Sequence, residues 1–170
     1  MEKEKQVAQY LIYEYENITE NSFLDSELML QKLMYYAQKT SLALTGRTLF
    51  DEKFEAWVHG PVLKSLRFYF DSYIPYNKDE DQLTDTDKYI INYVIYAYGQ
   101  YAPWKLRDMS HQEIAWKKAR KGLSGSMYGS REIEVDDIKE DAKEMRLYDY
   151  QYDMYVDEFD DLGDDFIGIS

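Results

Sequence analysis

Two histidines are the first residues to weigh for chemistry: His59 in AWVHGPV and His111 in LRDMSHQEIAW. With carboxylates nearby, two imidazoles can in principle hold a divalent metal, but neither sits in a ligand-spaced motif such as H-E-x-x-H. An imidazole just before Gly60-Pro61, or at the start of a helix, more often bonds backbone groups or a partner. The chain has no cysteine, hence no thiolate nucleophile, thiolate metal site or disulfide framework, as fits a reducing compartment. No serine stands in a G-x-S-x-G elbow, and GLSGS lacks the Lys-Ser/Thr that completes a phosphate loop. Asp and Glu are so frequent that no pair singles itself out for acid–base work. The residues point away from an enzyme, with no cofactor and no metal expected.

Bulk properties narrow the class. A chain of 170 residues fits one domain and buries about 70% of its unfolded surface, enough for a core without staples. Hydrophobic content of 45% argues for a globule, yet 33 acids against 20 bases leave a formal charge of −13, which repels phosphate backbones. Direct nucleic-acid binding is not expected. No run of about 18 apolar residues occurs and MEKEK opens the chain without a signal core, so no membrane association and a cytoplasmic location are expected. Nothing in the composition sets the oligomeric state.

The elements that must position these residues are helical. Val7, Leu11 and Tyr15, with Ala8 and Ile12 beside them, predict a helix over residues 3–16. Leu30, Leu33, Met34, Ala37, Ser41 and Leu44 predict a second, capped near Asp25 or Ser26, burying one face and stopped by Gly46. Residues 48–58 mix periods and allow a short β-ribbon. Pro61 is placed to open a third helix with Val62, Leu66, Tyr69 and Phe70 inward. Thr84, Asp85 or Thr86 caps an apolar helix over residues 89–98, expected to be central. Pro103 opens a short helix to residue 107, and Ser110 caps another over residues 111–121. Residues 122–130 form a Gly/Ser loop. The fold class is therefore mainly α, a compact multi-helix domain with at most a short ribbon near residues 48–58.

Three pieces, LQKLMYYAQ (30–38), LTGRTLFDEKFEAWVHGPV (44–62) and LRDMSHQEIAWKKAR (106–120), resemble in order and spacing the Panacea domain, the SocA-like antitoxin domain of bacterial and phage toxin–antitoxin systems. The resemblance spans roughly residues 5–146 and leaves a C-terminal extension at 147–170. It implies a non-catalytic protein that binds a cognate toxin and suppresses it, in some cases by delivering it to a protease. On that reading Trp57, His59, Trp104, Arg107, His111 and Trp116, which fall in or near the motifs, are candidates for partner contact. Each tryptophan taken singly reads first as core packing, and Arg107 as a local partner of Asp108.

The extension carries eight acids and no base, −8 of the −13. It is too aromatic for a solvating tail. Tyr148, Tyr152, Tyr155, Phe159 and Leu162 follow helical steps, although Tyr148, Tyr150 and Tyr152 also fit a strand. The expectation is a helix running on from about Val135, its aromatic stripe on the domain or a partner and its acids outward. Six bases within residues 105–121 are expected to be solvated helix faces before a counter-surface for this tail, and a weak anion site last. An alternative function follows from the acids: Tyr148, Asp153, Asp157, Asp160 and Asp161 would belong to a nucleic-acid-mimicking surface that occupies the basic channel of a host defence nuclease, such as a CRISPR effector.

Overall fold

Helix α2 (Glu27–Thr45) is the element around which the chain closes. Ser26 caps it, its side chain accepting from the Met29 amide at 3.2 Å, and Gly46 leaves it in the left-handed region at φ 74°. The sequence periodicity predicts one buried face, but every residue from Met29 to Gln38 is buried. The computed structural model describes residues 1–162, with side chains through residue 159. In it α1 (Lys3–Thr19) packs against α3 (Asp85–Tyr98), and both pack on α2, which also carries α4 (Pro103–Ser110) and α6 (Val135–Ala142). The centre is thus α2 rather than α3. Helix α3 turns Ile90, Ile91, Val94 and Ile95 inward but leaves Tyr96 exposed. Its start is a capping box in which Thr84 and Asp87 each accept the other's amide.

A helix buried all round must find partners for its polar side chains, and α2 finds them in the segment that wraps it. Gln38 accepts from the Leu49 amide at 2.7 Å and donates to the Phe50 carbonyl at 2.9 Å. Two turns earlier, Gln31 accepts from the Leu63 amide at 2.8 Å and donates to the Leu63 carbonyl at 3.1 Å. Lys32 donates to the Pro61 carbonyl at 2.7 Å. These bonds decide what residues 49–63 do. Instead of opening a helix, Pro61 lies in β2 (Gly60–Val62), which pairs antiparallel with β1 (Glu55–Trp57) across the tight turn Val58–His59. The expected third helix reduces to 310 turns at Lys64–Leu66 and Tyr69–Ser72, with Leu66 still buried. Side chains of α2 hold the backbone of Pro61 and Leu63 extended, and Phe68 at φ 60° has a conformation no helix interior accepts.

Two further expectations change. Ser110 does not cap the next helix: it is the last residue of α4, and its hydroxyl donates to the Arg107 carbonyl at 2.7 Å. Helix α5 (Ile114–Ala119) begins after Glu113, and its free Ile114 and Ala115 amides are accepted by Asp141 of α6 at 3.3 and 2.8 Å. Glu113 turns away to a half-buried ion pair with Lys39 at 2.8 Å.

The C-terminal extension does not begin as a helix. α6 ends at Ala142, and the chain forms a hairpin of β3 (Tyr148–Asp149) and β4 (Met154–Tyr155), then a 310 segment Val156–Leu162. Tyr148 lies in β3, whereas Tyr150 and Tyr152 fall in the turn that follows, because Asp149, fully buried, accepts from the Gln151 and Tyr152 amides at 2.8 and 2.7 Å and from the Tyr89 hydroxyl, making a turn where a helix would need those amides. Tyr150 stacks on Tyr96 of α3 at 5.3 Å. The expected outward role of Asp160, Asp161, Asp164 and Asp165, and of the Leu162 side chain in the stripe, lies outside the described residues.

If the α2 amides hold the wrapping segment, Gln38→Met, which keeps volume but deletes three buried hydrogen bonds, should lower unfolding free energy by about 2 to 4 kcal/mol in urea denaturation without changing the helical circular-dichroism signal at zero denaturant.

Candidate functional site

The β1–β2 turn carries His59 at its tip and Trp57 at its edge, and α4 and α5 bring the other motif residues to it. His59 Nδ1 accepts from Arg107 Nε at 3.0 Å, and its ring meets Trp104 edge-on at 5.5 Å. The Arg107 guanidinium lies 5.1 Å from the centre of the Trp104 ring and pairs with Asp108 at 2.8 Å. On the other side Trp116 Nε1 donates to the Trp57 carbonyl at 2.9 Å, and His111 stacks flat on Trp116 at 4.3 Å. Trp57, His59, Trp104, Arg107, His111 and Trp116 therefore form one cluster.

Their burial separates the roles. Trp116 is buried and Trp57 half-buried, so both pack, whereas Trp104 is 59% exposed. Burial, with the charges of Arg107 and Lys32 adding to it, holds His59 below the ordinary imidazole range. His111 is lowered in the same way, burial first and then Arg107, against an opposing backbone hydrogen bond at Val58. Among the described residues no three His, Asp or Glu side chains are grouped to hold a metal ion.

Beside the turn a groove of about 580 Å³ runs between the first half of α2 and the hairpin, lined among others by Gln31, Lys32, Trp57, His59, Arg67 and Tyr128. Arg67 pairs with Glu27 and lies over the Trp57 ring at 5.4 Å. Tyr128, 96% exposed, is part of that lining, and Phe68, 66% exposed, lies beyond it under the Arg67 guanidinium at 4.8 Å. Motif reading missed Lys32, Arg67 and Tyr128. The signal for Lys32 was its place in LQKLMYYAQ, an unbroken run of buried positions, but a single-face helix hides it. Arg120 was also missed as a structural residue. It is buried, donating to the Ala56 carbonyl at 3.0 Å and the Ser124 carbonyl at 3.1 Å, and so ties the 122–130 loop to β1.

The remaining candidates sit elsewhere. Tyr148 bonds Asp153 on the C-terminal hairpin, and Asp157 pairs with Arg146 at 3.0 Å, with Glu158 also on Arg146 at 3.6 Å. Among the described residues the base that meets the acidic extension is Arg146, and in the 105–121 cluster Lys118 pairs with Asp137 at 3.3 Å. The side chains of Asp160 and Asp161 lie outside the described residues.

The model of the SocA-like antitoxin family, Panacea domain, matches residues 30–117, which hold most of α2, the ribbon, α3, α4 and most of α5, and the chain belongs to that family. No curated protein and no solved structure gives a match. Membership suggests a non-enzymatic role with a protein partner. Among the described residues no helix is long and apolar enough to cross a membrane.

Lys32 gives the site a pH signature. Its side chain is buried with one carbonyl partner, and burial, reinforced by the Arg107 charge and opposed by Glu27, pulls its amine from the ordinary 10.5 down to about 7. The unfolded chain then binds more protons between those two values, so stability is lowest below the folded value and rises with pH across the window. Urea denaturation from pH 7 to 9 should show the native chain gaining about 1 kcal/mol per pH unit relative to Lys32→Met.

Proposed function

We propose that this protein is an antitoxin that neutralises a cognate toxin by direct binding through the face formed by the β1–β2 turn, α4 and the groove beside them. The observation that carries the reading is the convergence of three separated motif segments on one surface. An exposed tryptophan and the guanidinium beside it both contact His59, which with Trp57 and the exposed Tyr128 lines a concavity there. Trp, Tyr and Arg at a partly desolvated surface are the residue types that supply most binding energy between proteins. Delivery of the bound toxin to a protease is compatible with this geometry but has no separate support from it.

The nucleic-acid-mimic alternative, inhibition of a defence nuclease, draws less support. Asp149 is consumed as a buried turn acceptor, and Asp157 and Glu158 share Arg146, which leaves fewer free charges on the hairpin than the sequence alone implies.

The product of the adjacent gene is the partner to test. Trp104→Ala removes an exposed ring and should fold normally, yet weaken toxin binding by about 2 kcal/mol, some thirtyfold, in calorimetry and abolish growth rescue at low antitoxin expression. Replacing Asp153 and Asp157 by Asn should leave both readouts unchanged. The reverse pattern would assign function to the acidic hairpin.

A further inference from the structure

The groove beside the β1–β2 turn has a charge that nothing among the described residues pairs with. Arg67 is paired with Glu27, and Arg107 with Asp108. Lys32 lines the groove floor but is only 1% exposed under the turn; it forms no ion pair among the described residues, and only one of its three N–H donors has an acceptor there, the Pro61 carbonyl. An ammonium out of water with unfilled donors is costly by itself and becomes favourable when a carboxylate completes it. The approach is apolar: Leu28, Val62 and the Trp57 ring line the walls, and Tyr128 stands exposed among them.

The geometry points to a carboxylate-recognition site: the groove accepts an acidic side chain from an extended segment of the partner protein, seated on Lys32 with apolar residues on either side against Leu28 and Tyr128. This rests on the toxin-binding reading and names the chemistry by which that face selects its partner. A protein carboxylate fits better than a nucleic-acid phosphate. The chain's charge of −13 opposes a polyanion along its whole length, whereas a single carboxylate on an otherwise neutral segment meets the local Lys32 field with the remaining acids screened over about 8 to 10 Å. Gly60 keeps the floor in place. It adopts φ +106°, and a Cβ there would stand 2.9 Å from Lys32 Cε and 2.4 Å from Ser110 Oγ.

The test begins with selection of displayed random peptides on the intact chain, followed by calorimetry with one selected peptide synthesised with blocked ends. Expected are an Asp or Glu at a fixed position between apolar residues, and at least about a tenfold loss of affinity when that acid is changed to its amide. The same exchange should have no further effect on Lys32→Met, and the acidic peptide alone should shift the Lys32 side-chain nitrogen resonance in the native protein, a readout that survives if the variant does not fold. Failure to enrich any peptide, enrichment without a fixed acid, equal affinity for acid and amide, or a preference for a phosphopeptide or oligonucleotide would each overturn the proposal. Toxin neutralisation separates it from the broader reading. Full activity in Lys32→Met with loss in Trp104→Ala removes the carboxylate site and leaves the antitoxin face, whereas retention in Trp104→Ala removes the face itself.

Discussion

Complete burial of α2 is the constraint on which the rest of the molecule depends. A helix with one dry face can point Gln and Lys at water, but one covered on every side must supply each polar group with a partner or bear the cost of leaving it unmet. Gln31, Lys32 and Gln38 meet that demand by bonding the main chain of residues 49–63, as a neighbouring strand would. The wrapping segment is consequently short of helix and rich in extended backbone. The β1–β2 turn that presents His59 and Trp57 follows from how α2 is satisfied as much as from its own sequence.

The same constraint produces the electrostatic contrast of the surface. Most charges of this acidic chain have ordinary fates: Lys118 with Asp137, Lys88 with Asp81 at 2.6 Å, Arg146 with Asp157. Lys32 differs because helix geometry puts it where no acid follows, and the turn closes over it. Net charge and local potential therefore have opposite signs at the groove, and a partner senses the local one once it is within a Debye length.

Much of the architecture was legible in the sequence. Residues with short-range causes were read correctly: a cap of α2 at Asp25 or Ser26, where Ser26 serves, a cap of α3 at Thr84, Asp85 or Thr86, where Thr84 serves, Gly46 as the exit of α2, Pro103 at the first turn of α4, and the apolar lines of α1. The grouping of Trp57, His59, Trp104, Arg107, His111 and Trp116 came from motif resemblance, since nothing in their separation along the chain predicts contact. What failed depended on partners distant in sequence. Pro61 looked like a helix start because its tie to Lys32 is invisible locally, and Ser110 looked like a cap because Asp141, the acceptor for the α5 amides, comes from another helix. The hairpin at Tyr148–Tyr155 lost to a helical stripe in the reading because Tyr148 and Tyr152 fit both a four-residue helical step and the alternation through Tyr150, and a buried Asp149 decided for a turn.

The crowding at Gly60 bears on how such a protein can change over generations. With a hydroxyl, an alkyl amine and a strained backbone angle meeting at one α-carbon, almost any exchange there forces the turn off α2 and α4. The floor is thereby frozen, while Phe68, Trp104 and Tyr128 stand free of the core. Variation that survives must accumulate at such exposed rings, so the surface of a lineage of these proteins can be redecorated while the floor stays unaltered.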